Sequence, residues 1–383
     1  MVSLCMDLSS ELVHALLPLY MATVLGASTL VIGIVEGIAE ATALVVKLFS
    51  GVISDAFRRR KPLVLLGYGL GALSKFVFPL APTLAWIVAA RFADRVGKGI
   101  RGAPRDALIA DIAPAAVRGR SFGLRQALDT VGGIGGPVLA MAAMAFFASD
   151  FQAAFWVAVV PAVVCVALIV VGVEEPRQHA VDGTPKPRWR LADTRRLPPA
   201  FWIVVAIATV LTLGRFSEAF LVLRAQNVGL AVAQAPLVMV AMSVVYALAA
   251  YPAGAAADRG GGARMLAGGL FALVAADLVL AQAGGAAAVL AGAALWGLHM
   301  GLTQGLLAAL VAGAAPADLR GTAFGVFNLA AGIALLVASA LAGLLWDAYG
   351  PAFTFYAGAA FTVLAGLGLL LRRRDVAALA RRV

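Results

Sequence analysis

The sequence predicts an all-α polytopic membrane protein of twelve transmembrane helices, arranged as two pseudo-symmetric six-helix bundles. Three observations support that fold class. The 383 residues are 62% hydrophobic and 13% charged, with a mean hydropathy of +0.95. That is more apolar surface than a soluble core of this length hides. Runs long enough to cross about 30 Å of hydrocarbon recur from end to end, and two short patterns return at a nearly fixed offset in the second half.

The spans are expected at 4–24, 28–50, 62–81, 84–109, 121–147, 151–173, 200–223, 231–255, 265–283, 286–312, 322–346 and 351–371. The rest of the backbone falls in short loops, because a chain in lipid must satisfy its own hydrogen bonds. Charge follows the loops. Placing the even-numbered loops and the carboxyl terminus on one side gathers 20 of the 30 Lys and Arg residues there. The odd-numbered loops hold Arg224 at most, at a helix edge. The positive-inside rule then sets both termini in the cytoplasm and the chain in the inner membrane. The net charge of +10 therefore reports topology, and no nucleic-acid partner is expected. Cys5 and Cys165 lie in expected spans, so neither a disulfide framework nor a zinc site is expected. Asp7 and Glu11 stand where a signal peptide would be basic.

Internal repetition gives the domain plan. Residues 113–123, APAAVRGRSFG, recur as APADLRGTAFG at 315–325, an offset of 202. Gly51-x-x-x-Asp55 recurs as Gly254-x-x-x-Asp258, an offset of 203. Between the halves lies 174–199, polar and rich in Pro and Arg. The expected domains are thus an amino-terminal bundle at 1–173, a cytoplasmic linker at 174–199 and a carboxyl-terminal bundle at 200–383 with a basic tail. Two such bundles are the pattern of an alternating-access transporter.

The fourth span is unusual. Arg91, Asp94, Arg95, Lys98, Arg101, Arg105 and Asp106 fall on one arc of roughly 140° at about 100° per residue. Each Arg, Lys or Asp at mid-span costs roughly 2.5–3.5 kcal/mol. Such a stripe is expected to face a wet path or other charges. Glycines 97, 99 and 102 and Pro104 allow a break that would spoil the single face. The second span carries Glu36, Glu40 and Lys47 within about 40° of one face. Its two carboxylates either carry a coupling proton or form a permanent ion network with the fourth span. Asp129, one turn after Arg125, either forms a local pair with it or carries a proton. Cations outnumber carboxylates six to four over these two spans, which favours an anionic or zwitterionic solute.

Gly51-x-x-x-Asp55-x-x-Arg58-Arg59-Arg60-Lys61 resembles the loop signature of the major facilitator superfamily, with Arg58 where a glycine is usual. Arg91-Phe92 with Asp111 twenty residues on, and alternatively Arg95-x-x-Lys98-Gly99, look like its helix-4 signature in two registers. Gly132-x-x-x-Gly136-Pro137 is similar to the motif of its antiporters. The resemblance spans the chain, and the sequence DRVGKGIRGAPRDALIAD looks like a prokaryotic branch of the superfamily.

The resemblance implies that Asp55 meets the amino end of the eleventh span at 322–325, with Asp258 in the mirrored role. Arg58 or Arg59 would tie to Asp111. The bland alternative is that these charges only set topology. The resemblance also implies a cavity lined by the first, fourth, seventh and tenth spans. Glu11, His14, Arg215, Glu218, His299 and Gln304 then join the fourth-span charges as lining candidates, although a lone His299 also suits hydrogen-bonded packing.

The expected function is a secondary transporter that exports a small solute by proton antiport. It would act as a monomer, with no cofactor beyond the proton gradient. Transport of a metal chelate by the same fold stays open; bare metal is disfavoured by the lack of a clustered His, Cys or Met set. An intramembrane enzyme is disfavoured because no His-Glu-x-x-His or Gly-x-Ser-x-Gly is present. A channel is disfavoured because no filter-like ring is evident.

Overall fold

Backbone groups buried in apolar surroundings must find partners within their own segment, and helices achieve this without an edge. The computed structural model describes residues 1–57, 60–114, 117–174, 191–316 and 319–372. Among them every long regular element is an α-helix. The order is α1 Val2–Thr23, α2 Thr29–Phe57, α3 Lys61–Leu80, α4 Leu84–Ile112, α5 Arg118–Phe146, α6 Phe151–Gly172, α7 Pro199–Leu213, α8 Ala219–Asn227, α9 Leu237–Ala256, α10 Gly262–Ala281, α11 Ala286–Ala314, α12 Arg320–Tyr349 and α13 Pro351–Leu371. Among the described residues ten helices are long and apolar enough to cross a membrane.

Two of the expected spans depart from that standard, each for a physical reason. Helix α4 is 29 residues long but carries too many charges to read as a lipid-facing rod. The seventh expected span is interrupted: α7 stops at Leu213 and α8 starts at Ala219, with Gly214 to Glu218 between them.

By compactness the chain divides into one unit of Met1–His14 with Thr42–Trp189 and another of Ala15–Ala41 with Arg190–Val383. Helices α1 and α2 thus each serve both units, unlike the boundary expected at residues 173–200. The second unit claims the first half of α2 through close backbone packing. A methyl group on Gly33 would collide with the Ser339 carbonyl of α12, and one on Gly37 would stand 2.9 Å from Leu336 Cα. The Asp347 carboxylate, from the end of α12, accepts from Thr29 N at 3.1 Å, Leu30 N at 2.9 Å and Thr29 Oγ1 at 2.5 Å. It thereby caps the amino end of α2, whose first N–H groups have no intrahelical partner.

In the first unit, α3 lies between α4 and α6. Met6, Val64, Tyr68, Leu108, Cys165 and Ile169 are buried together there. Gly67 and Gly97 let α3 and α4 touch by backbone: a methyl on Gly67 would stand 2.8 Å from the Gly97 carbonyl. The second unit repeats this contact 202 residues later, where a methyl on Gly269 would collide with Thr303 Cγ2 and meet the His299 carbonyl at 3.6 Å. Phe201, Val204, Leu266, Val311 and Ala323 form its core at one end. At the broken span, Phe216 stands edge-on to Phe220 and Phe355 and tilted against Trp296.

Candidate functional site

Four cations gather around one carboxylate where α3 meets α4. Lys75 Nζ donates to Asp94 Oδ1 at 2.7 Å, and neither side chain reaches solvent. Arg95 Nε lies 3.8 Å from Asp94 Oδ2. The Arg101 guanidinium stacks on Tyr68, 4.6 Å from the ring centroid. Arg91 is buried as well, and the charges of Arg91 and Arg101 both act on Asp94. Space for this cluster comes from Gly71 of α3, where a methyl group would stand 3.2 Å from Arg101 Nη1 and 3.5 Å from Asp94 Oδ1.

The charged stripe of α4 therefore divides. Asp94 and Arg101 are seven residues apart at one edge of the arc, and both turn onto α3 instead of into an open path. Arg91 and Arg95 are also buried, so of these five charges only Lys98 is exposed. Sequence reasoning misses Lys75. The signal that reveals it is an ionisable residue inside the apolar run 62–81.

The charge of Lys98 acts on the Asp7 and Glu11 carboxylates of α1. Glu11 Oε2 lies 3.4 Å from His14 Nδ1, and the charges of Lys98 and Arg95 act on Glu11. The glycine–proline pattern of α5 seats this part of α1. A methyl on Gly136 would stand 2.5 Å from Glu11 Cβ and 2.9 Å from Leu12 N, and one on Gly132 would stand 2.7 Å from Asp7 Cβ. Pro137 follows inside the same helix. Toward the other end of α4, Arg105 Nε donates to Asp106 Oδ1 at 3.0 Å, and Arg125 Nη1 donates to Asp129 Oδ2 at 2.7 Å.

In the loop signature, Arg60 is the arginine that meets Asp111, Nη1 to Oδ2 at 2.5 Å. Arg58 and Arg59 lie outside the described residues, as do the side chains of Asp55 and Asp258 and the surroundings of Gly51. Gly254 has open space where a side chain would be. Gly260, at φ 85°, turns the chain between α9 and α10 in the left-handed region that glycine tolerates.

The second unit places Arg215 and Glu218, both half-buried, in the interruption of the seventh span. There Ser217 N donates to Ser339 Oγ at 3.1 Å. Glu36 is fully buried and Glu40 half-buried on the part of α2 that belongs to this unit. His299 is enclosed, its Nδ1 2.8 Å from the Gly269 carbonyl, which is a packing position; Gln304 is half-buried. Arg224, expected only as an edge charge, caps the carboxyl end of α10 through the carbonyls of Leu280 at 2.9 Å, Ala281 at 3.2 Å and Ala283 at 2.9 Å. Among the described residues no three His, Cys, Asp or Glu side chains come together to hold a metal.

Comparison with known proteins agrees with this architecture. The pattern described as Major Facilitator Superfamily matches residues 1–223 and 213–382. An uncharacterised MFS-type transporter of Methanocaldococcus jannaschii is 30% identical over 372 residues, 95% of this chain and 91% of the relative. The solved nucleoside transporter NupG, as its D323A mutant, overlays with a TM-score of 0.79 at 13% identity, covering 97% of this chain and 98% of that one. A POT family transporter in complex with a thioalcohol-conjugated peptide overlays at 0.80 and 12% identity, covering 98% and 95%. The chain belongs to the major facilitator superfamily, as a multi-pass membrane protein with a transporter fold and not an enzyme.

Proposed function

We propose that this protein is a proton-coupled antiporter that exports a small anionic or zwitterionic solute by alternating access. In this reading it crosses the inner membrane twelve times with both termini in the cytoplasm, α4 and the α7–α8 pair supplying the two crossings beyond the ten apolar ones. It works as a monomer. Lys98 carries the reading: it is an exposed ammonium part-way along a 29-residue helix, acting on the Glu11 carboxylate of α1. Facing lipid it would cost roughly 2.5–3.5 kcal/mol, so the face it shares with Glu11 is wet. An ammonium beside a carboxylate suits the two ends of a zwitterion, and Arg215 with Glu218 offers a second opposite pair in the interrupted span. The glycine–proline pattern of α5 supports antiport by resemblance, and the carboxylates of Glu36 and Glu40 supply groups able to move a proton. Asp55 and the Arg60–Asp111 pair act at the cytoplasmic gate.

A thermal-shift screen of the purified protein against amino acids, carboxylates and carboxylate chelates tests this, because a ligand of the native state raises apparent stability. The stabilising solute is expected to carry a carboxylate and to show counterflow in proteoliposomes. Lys98→Ala is expected to weaken its binding tenfold or more with the melting point of the free protein unchanged. Equal affinity in Lys98→Ala, or a response only to lipophilic cations, would overturn the assignment.

A further inference from the structure

The 202-residue offset that relates the two halves carries Lys75 of α3 onto Asp277 of α10, and Asp94 of α4 onto Trp296 of α11. The helix contacts obey the same offset, since Gly67 against Gly97 becomes Gly269 against His299. At Lys75 the first unit thus holds a closed ion pair. At the equivalent place the second unit holds a carboxylate, and the position of its partner is occupied by an indole.

Asp277 has no exposure to solvent, and neither carboxyl oxygen has a hydrogen-bond partner among the described residues. Its closest recorded neighbour is Gly358 of α13, where a methyl group would stand 2.8 Å from Oδ2 and 3.0 Å from Phe216 Cε1. The titratable groups on its own helix and on the elements packed around it are Arg264 on α10, Tyr246 and Tyr251 on α9, His299 on α11, Tyr356 on α13, and Arg215 and Glu218 in the interrupted span. None of them makes a hydrogen bond or ion pair to it among the described residues.

An isolated carboxylate cannot stay charged in such a place, because its burial costs far more than adding a proton. A metal cation would need several further oxygen ligands, whereas Gly358 and Phe216 offer a backbone methylene and a ring edge. A proton needs only the carboxyl group itself. From this we infer that Asp277 is a proton-binding site of the carboxyl-terminal bundle, taking H⁺ on a carboxylate oxygen and releasing it when the site is wetted. The inference rests on the proton-coupled reading above and adds to it a carrier in the carboxyl-terminal bundle, besides Glu36 and Glu40.

The route to water is the interruption of the seventh span. The Phe216 ring and the Asp277 carboxylate both crowd the same point beside Gly358, and Arg215, a candidate solute ligand, is the residue before Phe216. Gly214 packs so closely on α13 that a methyl there would stand 2.5 Å from Thr362 Oγ1 and 2.9 Å from the Gly358 carbonyl. A solute that draws on Arg215 pulls on Phe216, and withdrawal of that ring exposes the carboxyl. Solute binding and proton release are thereby linked through two neighbouring residues.

The test is infrared spectroscopy of the full-length protein in phosphatidylethanolamine–phosphatidylglycerol vesicles, titrated with protons alone. The expected result is a carboxylic-acid C=O band at neutral pH that shifts in deuterium oxide and is absent from Asp277→Asn. Asp277→Glu should displace the band and keep it. Carbon-isotope labelling of aspartate assigns the band in the unaltered protein should either variant fail to fold. Loss of the band in Asp277→Asn supports the site. Identical spectra for wild type and Asp277→Asn, or no labelled aspartic-acid band in wild type, overturn it. The transport reading fails separately: if a gradient of the solute found by the thermal-shift screen moves no protons in wild-type vesicles, coupling is lost while the infrared assignment stands.

Discussion

Lys75 and Asp94 show how a charge survives in an apolar span. Each removes the other's need for water, at a 2.7 Å contact from which solvent is excluded. Breaking such a buried pair costs about 3–5 kcal/mol, whereas replacing both members by apolar groups is often neutral. Lys75→Met and Asp94→Leu are each expected to lower the thermal stability of the detergent-solubilised protein. The double variant should recover most of the loss, and additive losses would mean that the contact contributes nothing. The angular position of Asp94 on α4 is legible in the sequence, because about 100° per residue fixes which side chains share a face. Which neighbour fills the space opposite is not. The partner stands 19 residues away on another helix, and only the small residue Gly71 decides that Arg101 turns the same way. Tyr68, Asp277 and Asp347 escape sequence reasoning for the same reason, since each gains its meaning across a helix contact.

At the scale of elements, apolar run length locates the helices well, with boundaries shifting by a few residues where charged ends continue as helix. The interruption in the seventh span is the exception. Its composition stays apolar on both sides, and the local cues are Gly214 and the polar residues Arg215, Ser217 and Glu218. The break exists because Ser339 of α12 takes the Ser217 N–H at 3.1 Å, and the aromatic cluster around Phe216 fixes the kink. Helix α2 is likewise completed by another element, through the Asp347 cap. Loss of a carboxylate N-cap costs about 0.5–2 kcal/mol. Asp347→Ala is therefore expected to speed hydrogen exchange at Thr29 and Leu30 roughly two- to thirty-fold, with exchange in α10 unchanged. Unaltered exchange at those two amides would show that the cap is dispensable.

For the whole molecule, composition makes the all-helical membrane fold legible before any coordinates, and the 202-residue repeat points to two halves. They do not reveal that α1 and α2 change allegiance near His14 and Ala41, because nothing in the composition alters part-way along a helix. The division comes from packing of Gly33 and Gly37 on α12. In the proposed reading the loop signature serves transport and not folding. Asp55→Asn is expected to slow solute counterflow at least fivefold while leaving the melting temperature within a degree or two of wild type. Normal counterflow would reduce Asp55 to a topology signal. One further consequence follows from where the ion pairs lie. The Arg60–Asp111 contact is partly open, with Asp111 40% exposed, and dissolved electrolyte screens such a charge within about 8 Å at 0.15 M. The sealed Lys75–Asp94 contact is insulated from that screening. A rise in the ionic strength of the bathing solution thus weakens the Arg60–Asp111 contact and leaves the α3–α4 seam intact.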